Sequence, residues 1–473
     1  AVRIGTADAA VDMTSISSSG AASTTFTVFE NTTFTGTLAA ATSVNSGVTL
    51  GISAAKATTK TISGLGNVSI SALHSTLAAD LTGVTAGGTK TATFGGSATF
   101  AGDLGNVSVT VTAGNTMDTT AAKANGKSIT AAGDANITIT ALHSTLSADL
   151  SGLAKGSGTI TATFGGTNTF TGVLGLASVS VTTGNTMTIS AAKATGKTIT
   201  GASGGSGSVI VTALDQTLDA DVSNVTADTG NSGSVTGTFL TSGTFTGDFG
   251  TAGMTVSISD GATMTVAANL VDGASGPTLQ KVGSGSGAVA VRIGTADAAV
   301  DMTSISSSGA ASTTFTVFED TTFTGTLAAT TSVADNVSLT SAFSKLTGKT
   351  INHDGSEVGQ ALIVKIADAD SSADLNNITS DITNITAVFT ESQTFTGNLR
   401  SKSASVDNSI TVTATAAVLD GQTVAAAGSG NIAVTALHST LAANLSSLSS
   451  ASGTVTAAFG ANGTFTGNLG TAR

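Results

Sequence analysis

The chain has 473 residues, a formal net charge of −12 and an isoelectric point near 4.5. Charged residues make up only 10% of it, against roughly 25% in ordinary soluble proteins. Cysteine is absent, which excludes a disulfide framework and a thiolate metal site. The clustered Lys and Arg that phosphate binding needs are missing, so nucleic acid is excluded as a partner. No apolar run reaches the roughly 18 residues of a membrane-spanning helix.

The dominant residue types are Thr, Ser, Ala, Gly and Val, with no Trp, no Tyr and a single Pro. Such a composition favours β-structure with small side chains inside and hydroxyls outside. Helix formers with charged side chains are too sparse to coat the polar faces of many helices. The sequence therefore predicts an all-β protein.

Two stretches of the chain are almost identical. Residues 1–44 recur as 290–333 with two substitutions, at positions 31 and 41 of the first copy. This near-identity indicates a recent internal duplication. It also predicts that the chain is a segment of a longer array.

A unit of about 70 residues repeats inside the duplicated block. It is marked by Thr-Phe-Thr-Gly or a close variant, whose phenylalanines are Phe34, Phe100, Phe170, Phe245, Phe323, Phe395 and Phe465. A second phenylalanine stands six residues earlier in most units, at Phe94, Phe164, Phe239, Phe389 and Phe459. We expect these rings to fill the interior. The predicted repeat units are 1–44, 45–110, 111–180, 181–255, 256–333, 334–405 and 406–473.

Each unit is predicted to divide into three coils. A Phe strand is followed by alternating sequence, then by a Met strand such as 187–193, then by a Leu strand such as 146–150. A polar marker position recurs every 20 to 28 residues, at Asp80, Asp103, Lys123, Asp149, Val173, Lys193 and Asp221. A period of about 23 residues built from short β-runs and turns is typical of a β-solenoid, similar to a parallel β-helix.

About twenty such coils would make a rod on the order of 100 Å long. The alternative architecture is a tandem array of small β-sandwich domains, one for each unit of about 70 residues. Two stretches depart from the pattern. Residues 267–289, which include Pro277 and a Gly/Ser run, are predicted to be an oversized loop or hinge. Residues 343–372 are divergent and locally acidic.

Two motifs resemble catalytic or nucleotide-binding signatures. His74-Ser75-Thr76 with Asp80 has the residue types of a catalytic triad, but other units place Thr or Asp at the histidine position, which predicts a solvent-facing turn. Residues 191–198 end in Gly-Lys-Thr like a phosphate-binding loop, yet the following sequence is not helical. We therefore expect no enzymatic activity from either motif.

One oxygen-rich cluster would suit a hard cation. Asp368, Asp370 and Asp374 lie close together in sequence and form a candidate Ca²⁺ site, with ordinary solvated turn carboxylates as the alternative. The many Thr-x-Thr triplets would suit ice binding only if they stacked into a flat array, and the repeat predicts that they fall in different columns.

The whole chain resembles bacterial cell-surface β-strand-repeat proteins, namely S-layer-like proteins and secreted repeat adhesins. The resemblance rests on composition and on motifs such as Ala-Leu-His-Ser-Thr-Leu (72–77) and Thr-Phe-Thr-Gly-Asp-Phe-Gly (244–250). It implies an extracellular, self-assembling structural or adhesive protein, often with Ca²⁺.

The leading functional hypothesis is a non-catalytic stalk, fibre or lattice of a bacterial surface or extracellular matrix, whose partner is the protein itself. An adhesin or binding module for surface glycans is the alternative. A polysaccharide-degrading β-helix enzyme is a further one, with residues 343–376 as the place for its active site.

Overall fold

A computed structural model gives the structure of the protein. The residues it describes are 1–16, 24–202, 206–227, 233–250, 254–272, 276–281, 287–305, 307–308, 312–355, 358–400 and 402–473. The chain forms two compact units, the first of residues 1–238 and 247–255 and the second of residues 239–246 and 256–473.

The described residues consist mainly of short strands of two to six residues. In chain order, strands β1 to β22 are Val2–Ile4, Phe26–Val28, Thr32–Phe34, Ala41–Val44, Thr49–Ser53, Thr61–Gly64, Asn67–Ser71, Lys90–Phe94, Ala98–Phe100, Ser108–Val111, Thr116–Thr120, Ile129–Ala131, Asn136–Thr140, Leu153–Lys155, Ile160–Phe164, Asn168–Phe170, Ser178–Val181, Thr186–Ser190, Ile199–Gly201, Ser208–Thr212, Val225–Thr226 and Val235–Phe239. Strands β23 to β43 are Gly243–Phe245, Met254–Ile258, Thr263–Ala267, Thr278–Lys281, Ala288–Ile293, Ser307–Ser308, Ser312–Val317, Thr321–Phe323, Thr330–Val333, Ser338–Ala342, Thr350–His353, Ala361–Ile366, Thr379–Ser380, Ile385–Phe389, Gln393–Phe395, Ser403–Val406, Thr411–Thr415, Val424–Ala426, Asn431–Thr435, Leu448–Ser450 and Val455–Ala457.

Helical segments are confined to single turns. Helices α1 to α5 are Ala54–Ala57, Ala121–Ala124, Ala191–Ala194, Phe343–Leu346 and Ala416–Leu419. The 3₁₀ turns are Thr6–Asp8, Met13–Ser15, Leu73–Ser75, Leu142–Ser144, Leu214–Gln216, Ala268–Leu270, Thr295–Asp297, Asp368–Asp370, Leu375–Asn377 and Leu437–Ser439. Each α-turn follows a strand, and in α2 and α3 the first and fourth residues, both Ala, are buried.

All strand pairings among the described residues are parallel, as a solenoid requires. In the first unit, β14-β12-β10-β8-β7-β5-β3 form one seven-stranded sheet and β21-β19-β17-β15-β13-β11-β9 form the next. In the second unit, β23-β25-β27-β29-β31-β33-β35 and β30-β32-β34-β36-β38-β40-β42 have the same arrangement. The β-solenoid prediction is confirmed, and the alternative of tandem sandwich domains is wrong, because sandwiches are built from antiparallel strands.

The chain alternates between two sheets as it advances. From β8 to β14, even-numbered strands join one sheet and odd-numbered strands the next. Val109 pairs with Ile129, and Ile129 pairs with Leu153, so successive coils in one sheet are offset by 20 and 24 residues. In each of these four sheets, the first strand is the Thr-Phe strand of one repeat unit and the last strand lies two repeat units later.

The core lies inside the coils and is built from alternate residues of each strand. Strands such as β13 and β18 alternate buried and half-buried positions, with Ile, Met or Val inward. Phe94, Phe100, Phe164 and Phe170 are all at most 1% exposed. The predicted interior position of the rings is confirmed for these units, whereas Phe459 is 38% exposed.

Two stretches differ from their sequence interpretation. The predicted loop at 267–289 contains a 3₁₀ turn and the strand β26, Thr278–Lys281, while its residues 273–275 and 282–286 lie outside the described ranges. The divergent stretch 343–372 keeps the coil pattern, because α4 takes the place of the Ala-Ala-Lys-Ala turn of other units. Substitution of Phe and Leu into this turn therefore leaves the architecture unchanged.

Candidate functional sites

The corners that stack beside the α-turns carry isolated bridges between coils in place of the predicted Leu strand. These corner bridges are Asp12–Thr37, Asp80–Asp103, Asp149–Val173, Asp221–Asp248, Asp301–Thr326, Asp374–Asn398 and Asn444–Asn468. The predicted strand at 146–150 was wrong, because a 3₁₀ turn at Leu142–Ser144 leaves one residue in ladder geometry. The corner is thus a turn with one bridge per unit.

The acidic residue of each corner bridge is satisfied by its own turn. Asp80 Oδ1 accepts hydrogen bonds from the Thr82 hydroxyl at 2.6 Å and the Thr82 N–H at 3.0 Å. These bonds stabilise the carboxylate, so the pKa of Asp80 lies below its ordinary value of 3.8. The pKa is lowered in the same way at Asp12, Asp149 and Asp301. A structural role in the turn accounts for these carboxylates.

The lysines predicted at the marker position lie elsewhere. The backbone N–H of Asp149 donates to Asn125 Oδ1 at 2.8 Å, which places Asn125 rather than Lys123 in line with the corner bridges. Lys123 belongs to α2, and its Nζ lies 3.9 Å from Asp103 Oδ2. This exposed ion pair contributes at most about 1 kcal/mol.

Two of the three histidines of the His-Ser-Thr motif, His74 and His143, make a structural contact to the next coil, whereas His438 Nδ1 has no hydrogen-bond partner among the described residues. His74 Nδ1 accepts a hydrogen bond from the N–H of Gly95 in the next coil at 3.2 Å, and its ring lies edge-on to Phe94 at 6.3 Å between centroids. His143 makes the same bond to Gly165 at 3.1 Å. The imidazole lies in a 3₁₀ turn, as the turn interpretation expects, and is half-buried over a glycine.

The Gly-Lys-Thr segment that resembles a phosphate-binding loop follows α3, which is only one turn long. Lys197 Nζ donates to the carbonyl oxygen of Gly175 in the preceding coil at 2.7 Å. Lys127 makes the equivalent bond to Gly105 at 2.6 Å. Both lysines therefore cap a backbone carbonyl that the sheets leave unpaired.

The three carboxylates of the predicted calcium cluster have separate surroundings. The N–H of Asp368 donates to Glu391 Oε2 at 2.9 Å, and Asp374 Oδ1 accepts from the N–H of Asn376 at 3.0 Å. Burial raises the pKa of Asp370 above its ordinary value, and nearby Glu391 adds to that shift. The described residues contain no group of three or more His, Asp or Glu side chains placed to hold a metal. The calcium site stays a prediction.

The glycine of the Thr-Phe-Thr-Gly motif is required by the close approach of two coils. A Cβ added to Gly172 would lie 2.1 Å from the carbonyl oxygen of Ala148 and 2.7 Å from Cζ of Phe170. The same overlap with the preceding coil, at 1.9 to 2.1 Å, occurs at Gly36, Gly102, Gly247, Gly325, Gly397 and Gly467. The motif is therefore a packing element, which its recurrence in all seven units could have indicated.

Hydroxyl side chains are stacked along the outer face of the β9–β21 sheet. The register aligns Thr99 with Asp118, then Thr138, Thr161 and Ser178 on successive strands. Their side chains point away from the core, at exposed or half-buried positions. Only two Thr-x-Thr triplets, 138–140 and 161–163, are paired here, through Thr138 and Thr161, and Asp118 interrupts the column. Hydroxyl columns give the sheet a hydrated face with few charges.

Comparisons with protein families, curated proteins and solved structures found no match to this chain. Among the described residues, no helix has the length and apolar character needed to span a membrane.

Proposed function

We propose that the protein is a non-catalytic structural component of a bacterial surface or extracellular matrix, which self-assembles into a stalk, fibre or lattice. The observation that carries the proposal is the parallel, in-register pairing of successive coils within each unit. Such pairing makes stability a sum over neighbouring coils, so a chain can be lengthened without a new fold.

The side-chain arrangement supports the same role. Phe and small aliphatic residues are buried inside the coils, while hydroxyls cover the sheet faces. The polar groups with catalytic residue types are used within the fold: His74 and Lys197 accept from or donate to the backbone of a neighbouring coil. A scaffold needs side chains of this kind.

Edges of parallel sheets offer unpaired backbone groups, which makes addition of further strands the natural route to assembly. The experiment is electron microscopy of the purified chain over a concentration series, with and without chelator. Continuous filaments or a lattice are expected. Two results together would establish the calcium site as part of the assembly. The first is a loss of order on chelation that added Ca²⁺ reverses, and the second is the absence of this Ca²⁺-dependent order in the double variant Asp368→Ala, Asp374→Ala.

Particles that stay monomeric at every concentration would contradict self-assembly. Degradation of an acidic polysaccharide that disappears in Asp370→Ala would favour the enzyme alternative. Asp8→Ala is a suitable control for that assay, since Asp8 ends a 3₁₀ turn of similar form outside the 343–376 region.

A further inference from the structure

A groove of about 410 Å³ opens on the second unit, beside the carboxyl ends of β25 and β27. The residues that line it include Thr244, Thr246, Asn269, Leu270, Arg292 and Phe318. It thus combines two hydroxyls, an amide and apolar contacts with one guanidinium and the Phe318 ring.

The groove exists because a small side chain stands beside large ones. Ala267 pairs with Arg292, and Arg292 pairs with Thr316, so these residues are neighbours in one outward column of the sheet. Ala267 fills little of the space next to the Arg292 side chain. The N–H of Asn269 donates to Asp297 Oδ1 at 2.8 Å, which fixes the turn that forms one wall.

Arg292 is held in place but lacks a carboxylate partner. Its guanidinium lies 4.0 Å from the centroid of the Phe318 ring, a cation–π contact that orients the planar fork. No carboxylate of the described residues lies within 4.0 Å of it. The nearby acids are engaged elsewhere: Glu319 accepts from Thr295 at 3.1 and 3.2 Å, and Asp297 is buried and accepts from Gly294 at 2.7 Å.

We propose that this groove binds a carboxylate-bearing sugar unit of an acidic glycan. A stacked arginine presents paired N–H groups that match a carboxylate in a bidentate geometry. The adjacent hydroxyls, amide and Leu270 side chain suit the mixed polar and apolar surface of a pyranose ring. The negative charge of the rest of the protein is screened beyond about 8 Å at physiological salt, so it does not prevent this local contact.

The duplication provides a matched control. Arg3 stacks on Phe29 at 4.2 Å, and Glu30 binds Thr6 as Glu319 binds Thr295. Arg3 is not among the residues that line the groove. An equivalent arginine–phenylalanine pair outside the groove is therefore available as a control.

Saturation-transfer NMR on the full chain tests the proposal, with a galacturonic acid trisaccharide as probe and a neutral galactose trisaccharide for comparison. We expect a Kd of about 1 mM for the acidic probe, typical of a single charged contact. Arg292→Ala should weaken binding about tenfold or more, whereas Arg3→Ala should change it less than about twofold. Arg292→Lys, which keeps the charge but loses the fork, should weaken it about threefold.

Ala267→Gln provides a second test, because it fills the groove and leaves Arg292 unchanged. It should weaken binding as strongly as Arg292→Ala. Circular dichroism verifies that each variant folds. The proposal is overturned if the wild-type chain binds no acidic probe, if the neutral trisaccharide binds equally well, or if the two arginine variants lose equal affinity. If an alanine tripeptide binds as well as the galacturonic acid trisaccharide, the groove binds peptide carboxylates and the proposal of a glycan ligand is overturned.

Discussion

Replacement of Gly172 by Ala is predicted to open the solenoid locally. Gly172 has no positive φ, so its backbone conformation alone would accept a side chain. The obstacle is the preceding coil, because the added Cβ would lie 2.1 Å from the carbonyl oxygen of Ala148. Cβ contacts in proteins essentially never fall below 3.0 Å, so the coils must separate by about 0.9 Å.

The size of the destabilisation follows from the hydrogen bonds that join the two coils around Gly172. The N–H groups of Thr171 and Gly172 both donate to Leu146 at 2.8 and 3.0 Å, and Val173 N–H donates to Ala148 at 2.9 Å. Separation of the coils weakens all three bonds, and each buried group left unsatisfied costs about 1 to 3 kcal/mol. For three such groups we therefore expect a local destabilisation of about 3 to 9 kcal/mol.

Gly184 is the matched control for this substitution. Its φ is +72°, and a Cβ there would meet no atom within 4 Å. Gly184→Ala should therefore incur only the cost of a left-handed residue, about 1 to 2 kcal/mol. Comparison of the two variants separates the effect of steric contact between coils on stability from the effect of backbone conformation.

Hydrogen exchange by mass spectrometry is the appropriate assay, because coils of a repeat protein can open independently and one global melting temperature would hide the effect. Peptides that cover residues 165–180 should exchange about a hundredfold faster or more in Gly172→Ala. Equal exchange in the two alanine variants would refute the argument from coil contact.

Three other substitutions test separate parts of the fold. Ala141 has φ +54°, so Ala141→Gly should relieve strain and stabilise its coil by about 1 kcal/mol, measured by urea unfolding. Asp149→Asn should remove part of the loss of folding stability at acid pH. The pKa of Asp149 in the folded protein lies below 3.8, so the stability it contributes is present above pH 3.8 and is lost as pH falls through the folded pKa. Asn444 accepts the equivalent hydrogen bonds, which shows that the turn tolerates asparagine. If the difference in unfolding free energy between pH 7 and pH 3 is the same in the variant as in the wild type, the prediction is wrong. Phe164→Ala should cost about 3 to 5 kcal/mol and Phe459→Ala markedly less, because only Phe164 is fully buried.

The repeat and its period were sufficient to predict the solenoid. Short strands that alternate apolar and hydroxyl residues, with a sub-repeat inside a unit of about 70 residues, leave few alternatives to stacked parallel coils. The inward position of Phe164 and Phe170 followed from the same pattern. These features depend on local sequence, which is why they could be predicted without the structure.

The corners could not be predicted in the same way. Helix α3, Ala191–Ala194, is one turn long, too short for a helical period to show, so its first three residues were interpreted as the end of the Met strand 187–193. The Leu-Ser-Ala-Asp-Leu stretch at 146–150 alternates like a strand, but left-handed Ala141 turns the chain before it. Contacts between coils, such as His74 to Gly95, depend on register and are invisible in one linear sequence.

The sheets extend from one repeat unit into the following ones, and this continuity has a genetic consequence. Recombination between the coding sequences of the near-identical segments 1–44 and 290–333 would delete or insert 289 residues at a time. Phe34 and Phe323 are the last residues of the equivalent strands β3 and β30, and each of these strands starts a seven-stranded sheet. Such an exchange would join coils in register, so alleles that differ in length by whole blocks should encode proteins that still fold.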